Sequence, residues 1–400
     1  VPNHMSVIQA NRLGGHWKRN SKMTTFDRYI LRIFAKVLAI SFLSLTGLFI
    51  IIDMFGNLEE FISYAERQGS LFGVLTDYYG ARVLSFFDRI SALLALIAAI
   101  FTLTWLHRTN ELTALMAAGI SKARVVRPLL GATIVVALLA AANREATLPK
   151  VRDKLSRNAQ DWLGDTAKQL RPTRDYHSQI LIGGKATMAA EEQITQPSFR
   201  LPKTFASFGR QLVAKNAFYH APKPNRPGGY LLQGVTQPDN LTELPTARLA
   251  NEPVILSPSD TDWLKETECF VASNITFEHL AVKASWRQYS STVDLVKDLR
   301  NPSLDYGVGT RVIVHQRFVQ PILDVTLLLL GLPLVLSRSN RNMFMAAAQC
   351  LALVAGFFVV MLACQTLGKS TFLVSPALAA WLPLLIFAPI AYTAALRRWE

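Results

Sequence analysis

The 400-residue chain has only three cysteines, Cys269, Cys350 and Cys364. An odd, scattered set is neither a disulfide framework nor a zinc-ligand array. The seven histidines are equally scattered, with no H-E-x-x-H or C-x-x-C pattern, so no metal or other cofactor is expected. Acidic residues are few, 28 against 42 Lys and Arg, a net charge of +14. No nucleic-acid-binding motif accompanies that excess, so nucleic acid is not an expected partner. Catalytic sets are also missing: Glu191-Glu192 sits in solvated loop sequence, and Ser, His and Asp occur without a nucleophile elbow. The N-terminus lacks the short apolar core and cleavage site of a secretory signal. Met23, followed by Thr-Thr-Phe-Asp-Arg-Tyr-Ile, is a candidate start beside Val1 and Met5, and residues 1–25 read as a basic, disordered tail.

Apolar sequence is abundant. Half of the residues are hydrophobic and the mean hydropathy is +0.24, which fits a membrane part joined to a water-soluble part. A bilayer-crossing helix needs about 20 mostly apolar residues. Six segments meet or approach that length: 29–52, 90–106, 125–143, 318–336, 344–367 and 376–396. Basic residues crowd the N-terminal flank, the loop after the second segment (Arg108, Lys122, Arg124, Arg127), the loop after the fourth (Arg338, Arg341) and the C-terminal Arg397-Arg398. The intervening loops are acidic or nearly neutral, as in Asp53, Glu59, Glu60 and Glu66. The positive-inside rule then places both termini in the cytoplasm.

The same rule places residues 144 to about 310 outside, where the pattern changes. Period-2 apolar alternation appears at 180–182, 211–219, 230–235 and 269–277, separated by Pro/Gly/Asn clusters such as 222–229. This predicts a β-sandwich or open barrel. Residues 150–169 read as a helix leading into it, and 291–299 as a helix leading out.

The loop between the second and third segments is unusual. His107 to Lys122 carries a short apolar-faced helix, with Thr109 or Asn110 as its cap, Glu111 in its first turn and Gly119 as its stop. A loop that only turned the chain would not need one. Elsewhere, Ala363-Cys-Gln-Thr-Leu-Gly-Lys-Ser370 fits a relaxed P-loop pattern. A real P-loop follows a strand and opens a helix, whereas this stretch ends an apolar span.

Several motifs together resemble the LptF/LptG permease family of lipopolysaccharide export. They are Phe26-Asp-Arg-Tyr-Ile-Leu-Arg32, Asn110-Glu-Leu-Thr-Ala-Leu-Met-Ala-Ala-Gly-Ile-Ser121, Asn143-Arg-Glu-Ala-Thr-Leu-Pro149, Arg317-Phe-Val-Gln-Pro321, Gly331-Leu-Pro333 and Pro376-Ala-Leu-Ala-Ala-Trp-Leu-Pro383. The resemblance implies an α-helical inner-membrane protein with six transmembrane helices and an inserted periplasmic, all-β, jelly-roll-like domain. Its expected layout is spans one to three in 26–145 with a coupling helix at about 109–120, the β domain with flanking helices in 146–312, and spans four to six in 313–400. The implied role is a non-enzymatic permease subunit of an ATP-driven lipid exporter, spans one and five forming its lipid gate. Implied partners are a cytoplasmic LptB-like ATPase dimer, a second permease of the family, periplasmic LptC- and LptA-like bridge proteins and membrane lipid. A non-catalytic envelope scaffold and an exporter of a different lipid stay open.

In this setting Glu111, Ala114, Leu115, Ala118 and Gly119 are candidates for docking the ATPase. Val213, Phe218, Leu232 and Phe277 are candidates for acyl-chain contact, an ordinary sandwich core being the other reading of the same alternation. Asp53 departs from the resemblance. Relatives tend to carry Lys or Arg near there, and a carboxylate repels phosphate, so Asp53 reads as a lipid-handling or an interface residue. Asp88-Arg89 are expected to pair with each other or to cap the second span.

Overall fold

The computed structural model describes residues 25–162, 168–188, 191–224, 226–281, 287–305, 307–336, 343–369 and 374–399. The basic N-terminal tail up to Met23 and the Arg338–Arg341 loop lie outside them. Among the described residues six helices are long and apolar enough to cross a membrane. They are α1 (Thr25–Gly56), α3 (Leu71–Arg108), α5 (Lys122–Ala142), α9 (Gly307–Leu336), α10 (Met343–Lys369) and α11 (Pro376–Trp399). Shorter helices are α2 (Leu58–Gln68), α4 (Glu111–Ala117), α6 (Arg152–Ser156), α7 (Phe277–Ala281) and α8 (Thr292–Leu299).

α9 occupies the middle of the bundle, packed on α3, α5, α10 and α11. Its contact with α3 is close because residue 331 is glycine. A Cβ there would stand 2.5 Å from Leu96 Cδ1. Leu96, Leu103, Leu129, Leu323 and Leu327 fill the seam at 2% exposure or less. α1 lies at one side against α3 and α5, and its outward face, with Ile40, Leu43, Ile52 and Phe55, is 65–69% exposed. Such a stripe suits lipid or a second membrane chain. Pro321 and Pro333 sit inside α9, as neighbouring helices allow within a membrane bundle.

Between α5 and α9 is inserted an antiparallel β domain. Its strands are β1 (Lys168–Gln169), β2 (Thr173–Arg174), β3 (Leu181–Ile182), β4 (Gly184–Met188), β5 (Gln193–Arg200), β6 (Gln211–His220), β7 (Gly229–Gln237), β8 (Ala247–Leu249), β9 (Glu252–Leu256) and β10 (Glu268–Ala272). The main order is β1-β4-β5-β6-β7-β10-β9-β8, with β3 bridging β2 and β5. The row Ile194–Ala217–Leu232–Cys269 faces a core that includes Phe199, Phe208 and Tyr230. The neighbouring row, Phe218–Leu231–Phe270–Leu256, carries apolar residues on the other side. Left-handed Gln196 in β5 and Gly234 in β7 (φ 46° and 66°) interrupt the alternation and curl the sheet.

Several expectations are corrected. The second span is not a 90–106 helix but part of 38-residue α3, so Asp88 and Arg89 lie in mid-helix. They do not pair with each other; groups from distant segments satisfy them. Residues 150–169 are not one helix. The chain runs through a π-helical turn (Asn143–Thr147), a 3-10 turn holding Pro149, α6 and a second 3-10 turn (Ala159–Asp161) before β1. Pro149 lacks a donor, and Trp162 is drawn into an aromatic cluster with Tyr78. The 269–277 strand ends at Ala272. Ser273 leaves the ladder because its hydroxyl donates to buried Asp175 (2.6 Å) while accepting from Ile275 N (3.1 Å), and Phe277 opens α7 instead.

Candidate coupling helix, transmembrane joint and β domain

α4 hangs between α3 and α5 at the bundle end opposite the β domain. Asn110 enters it in the left-handed conformation (φ 57°), and neither it nor Thr109 caps with a side chain: the Thr109 hydroxyl turns back to Trp105 O (3.0 Å). The Glu111 carboxylate instead accepts a hydrogen bond from the Tyr29 hydroxyl at 3.0 Å. Two residues away on α1, Asp27 pairs with Arg124 of α5 at 2.9 Å. The first turn of α1 therefore grips both α4 and the start of α5.

Leu112 is buried and anchors α4 to the bundle core. The exit is a complete Schellman turn. Gly119 N donates to Met116 O and Ile120 N to Leu115 O, both at 3.0 Å, with Gly119 at φ +81°. Leu115 and Ile120 pack together against the core. Of the expected docking face, Ala114, Ala118 and Gly119 are exposed and Glu111 partly so. Leu115 turns inward, and Met116, 42% exposed, is the apolar group presented. Periodicity alone misses this exchange because a seven-residue helix is oriented by its anchor.

At the other end of the bundle a polar joint connects α5, α9 and the β domain's return segment. Arg144, in the π-helical turn, binds Asp88 of α3 at 3.0 Å. Glu145, its neighbour, accepts from Thr292 N (2.7 Å) and Thr292 Oγ1 (2.5 Å) at the start of α8. Arg317 of α9 reaches Glu145 (3.6 Å) and donates to the carbonyls of Ser290 (2.6 Å) and Gln288 (3.2 Å). Arg89 donates to the Tyr289 hydroxyl at 2.9 Å. Ser291 closes a capping box with Asp294, starting α8 as the sequence indicates. Farther out, Arg152 pairs with Glu278 at 2.8 Å. Burial raises the Glu278 carboxyl above its ordinary value, with Arg152 pulling it the other way.

Two sequence motifs, the 143–149 stretch and the 317–321 stretch, thus meet in space. The family model for the lipopolysaccharide export system permease LptF/LptG matches residues 28–180 and 259–397. The chain belongs to the LptF/LptG permease family. No curated protein matches it. The stretches matched to LptF/LptG hold nearly all of the six long helices, together with α4 and the joint. The unmatched centre, 181–258, holds β3 to β9, so membership rests on the bundle rather than on the heart of the β domain.

Asp53 lies at the β-domain end of α1. It accepts from the Tyr79 hydroxyl at 2.9 Å, beside Arg82, whose guanidinium stacks on the Tyr78 ring at 3.4 Å. Its carboxylate is engaged in a contact between α1 and α3. The four acyl-chain candidates split into two groups. Leu232 and Phe277 are packed in the β-domain core at 0% and 4% exposure, so neither lines an open groove here. Val213 and Phe218 are half-buried, and Phe218 borders a recess of ≈ 600 Å³ with Leu231 and His220. Burial and nearby Arg226 lower the His220 pKa. The P-loop-like residues Ala363–Lys369 form the last turns of α10, a helix where phosphate cradling needs a strand and loop.

Proposed function

We propose that this LptF/LptG permease is the membrane subunit of an ATP-driven exporter that extracts lipopolysaccharide from the inner membrane and passes it to a periplasmic bridge. Both termini and α4 face the cytoplasm, and the β domain lies in the periplasm. A separate, LptB-like ATPase dimer supplies the hydrolysis, docking on Glu111, Ala114, Met116, Ala118 and the Gly119 turn of α4. A second permease of the family covers the open stripe of α1. LptC- and LptA-like bridge proteins continue the path from the β domain, where Val213 and Phe218 contact acyl chains and opening of the core exposes Leu232 and Phe277.

The observation that carries this reading is α4 itself: a short helix anchored by Leu112, with small residues and one carboxylate turned out. Small side chains admit close approach of a partner's groove, and a carboxylate there suits a basic group. α5 follows directly and leads to the joint below the β domain, so displacement of α4 has a continuous helical path to it.

The test is purification of the full-length protein from its native membrane in mild detergent. A stoichiometric ATPase subunit that is lost on Glu111→Arg is expected. An ATPase that stays bound to the Glu111→Arg protein would remove α4 from the interface, and a permease that never brings one along would overturn the exporter reading.

A further inference from the structure

Two groups of bonds meet at the joint. In the first, Arg144 of the π-helical turn pairs with Asp88, the side chains 18% and 16% exposed, and ties the end of α5 to α3. Those two helices flank α4. In the second, the Arg317 side chain, 8% exposed, donates to the carbonyls of Gln288 and Ser290 and to Thr292 Oγ1 (3.4 Å). It clamps the β domain's return segment to α9, and α8, which follows that segment, also packs on α9.

The bonds that cross between the two groups are of another kind. Glu145 accepts from Thr292 N and Thr292 Oγ1 at the start of α8, but its side chain is 39% exposed and Arg317 stands 3.6 Å away. Arg89 meets the Tyr289 hydroxyl from an exposed position on α3. Exposed polar contacts exchange with water and contribute little each, whereas breaking a buried pair leaves a charge stranded. The bonds within each group therefore outlast those between them, and Glu145 belongs to the π-helical turn that directly continues α5. Such turns recur at functional sites. Deeper in the bundle the seam of α3 and α9 at Leu96 and Gly331 is close-packed, so a rocking of the two groups opens widest at the joint.

We propose that the Glu145–Thr292 contact is a releasable latch between the bundle and the β domain, with Glu145 as a positioning residue for lipid hand-off. Displacement of α4 rocks α3 and α5 as one unit against α9. Glu145 then leaves Thr292, the Asp88–Arg144 pair and the Arg317 clamp hold, and the start of α8 is free to reorient the β domain. The ATP-driven displacement of α4 rests on the exporter reading.

The test uses Glu145→Cys with Thr292→Cys in the full-length protein, purified with its co-purifying chains and placed in proteoliposomes that contain lipopolysaccharide. A short, reducible bis-methanethiosulfonate reagent bridges the pair. Bridging should be rapid without nucleotide and several-fold slower with ATP trapped by vanadate. Once bridged, the protein should release several-fold less lipopolysaccharide per ATP hydrolysed, and reductant should restore the ratio, which loss of folding would not allow. The two single-cysteine variants, given the same reagent, should show no reducible loss. If the pair fails to fold, hydrogen exchange of wild type and Glu145→Gln serves. Amides of 287–295 should exchange several-fold faster in wild type with trapped ATP, and Glu145→Gln should show that faster exchange without nucleotide. Bridging or exchange that ignores nucleotide while the co-purified ATPase hydrolyses ATP overturns the latch alone, as does a bridged protein that exports as well as the reduced one. A wild-type protein that brings no ATPase along overturns the exporter reading, and the latch loses its drive with it.

Discussion

The Tyr29 hydroxyl donates to the Glu111 carboxylate across 3.0 Å, 82 residues away in sequence. α1, a helix with an open apolar stripe, is thereby tied to the short helix α4. The Asp27–Arg124 pair at 2.9 Å repeats the tie one helix further on.

Tyr29→Phe removes that tie and leaves the ring. A net contribution of about 0.5–1.5 kcal/mol is usual for such a bond, and partial exposure of both residues favours the lower half. Amide hydrogens of 111–118 should exchange a few-fold faster in Tyr29→Phe. Exchange identical to wild type would mean the bond does not restrain α4.

Gly119→Ala places a side chain at φ +81°, a backbone region that costs an L-residue roughly 1–2 kcal/mol. The turn from α4 into α5 should loosen. Limited proteolysis near residues 115–121 should quicken and ATPase co-purification should fall. Gly119→Asn, which tolerates the left-handed region better, is expected to be milder.

Asp88→Asn strands Arg144, whose side chain is 18% exposed. Leaving a largely buried charge with weakened partners costs about 1–3 kcal/mol. The thermal midpoint of the purified protein should drop, and a reversed pair, Asp88→Arg with Arg144→Asp, should recover part of the loss. A midpoint unchanged in Asp88→Asn would show that the pair holds nothing in place.

Cys269 is fully buried in the β-domain core, and burial pushes its thiol pKa up to about 12. The folded state then keeps the thiol protonated while the unfolded chain loses its proton above its ordinary value near 9. Stability on this account is complete below about pH 9 and falls as pH rises toward 12, by at most about 1.4 kcal/mol per pH unit. At pH 8 a maleimide should leave Cys269 unlabelled in native protein and label it after denaturation. Rapid labelling without denaturant would contradict the packed core.

Much of the architecture was legible in the chain because it rests on local rules. Length and hydropathy mark membrane helices, and each of the six spans was placed to within a few residues at one end or both, the second and fourth beginning well before their expected starts. Ser291 with Asp294 announces α8, and the Gly119 stop is a local conformational demand. The alternation at 211–219 and 230–235 marks the strands that form at Gln211–His220 and Gly229–Gln237. Asp88 and Arg89 misled because charge within an apolar helix is acceptable only where distant partners answer it, here Arg144 and Tyr289. Phe277 misled because side-chain bonds of Ser273, invisible to periodicity, ended the strand.

The candidate sites divide in the same way. Glu111 and Gly119 could be singled out from one loop, because a helix start and stop are written within a dozen residues. The inward turn of Leu115, the exposure of Met116 and the hold of Tyr29 on Glu111 depend on what stands across from α4. The polar joint is further from reach, since Asp88, Arg144, Thr292 and Arg317 come from four segments spread over 230 residues. The sequence by itself determined that this chain spans a membrane six times, carries a β insert and resembles a lipid exporter, because hydropathy, turn chemistry and motif spacing are properties of neighbours along the chain. Which charges meet, which faces stay open and which segments share the joint below the β domain were decided only by tertiary packing, because those are properties of residues that the backbone brings together from far apart.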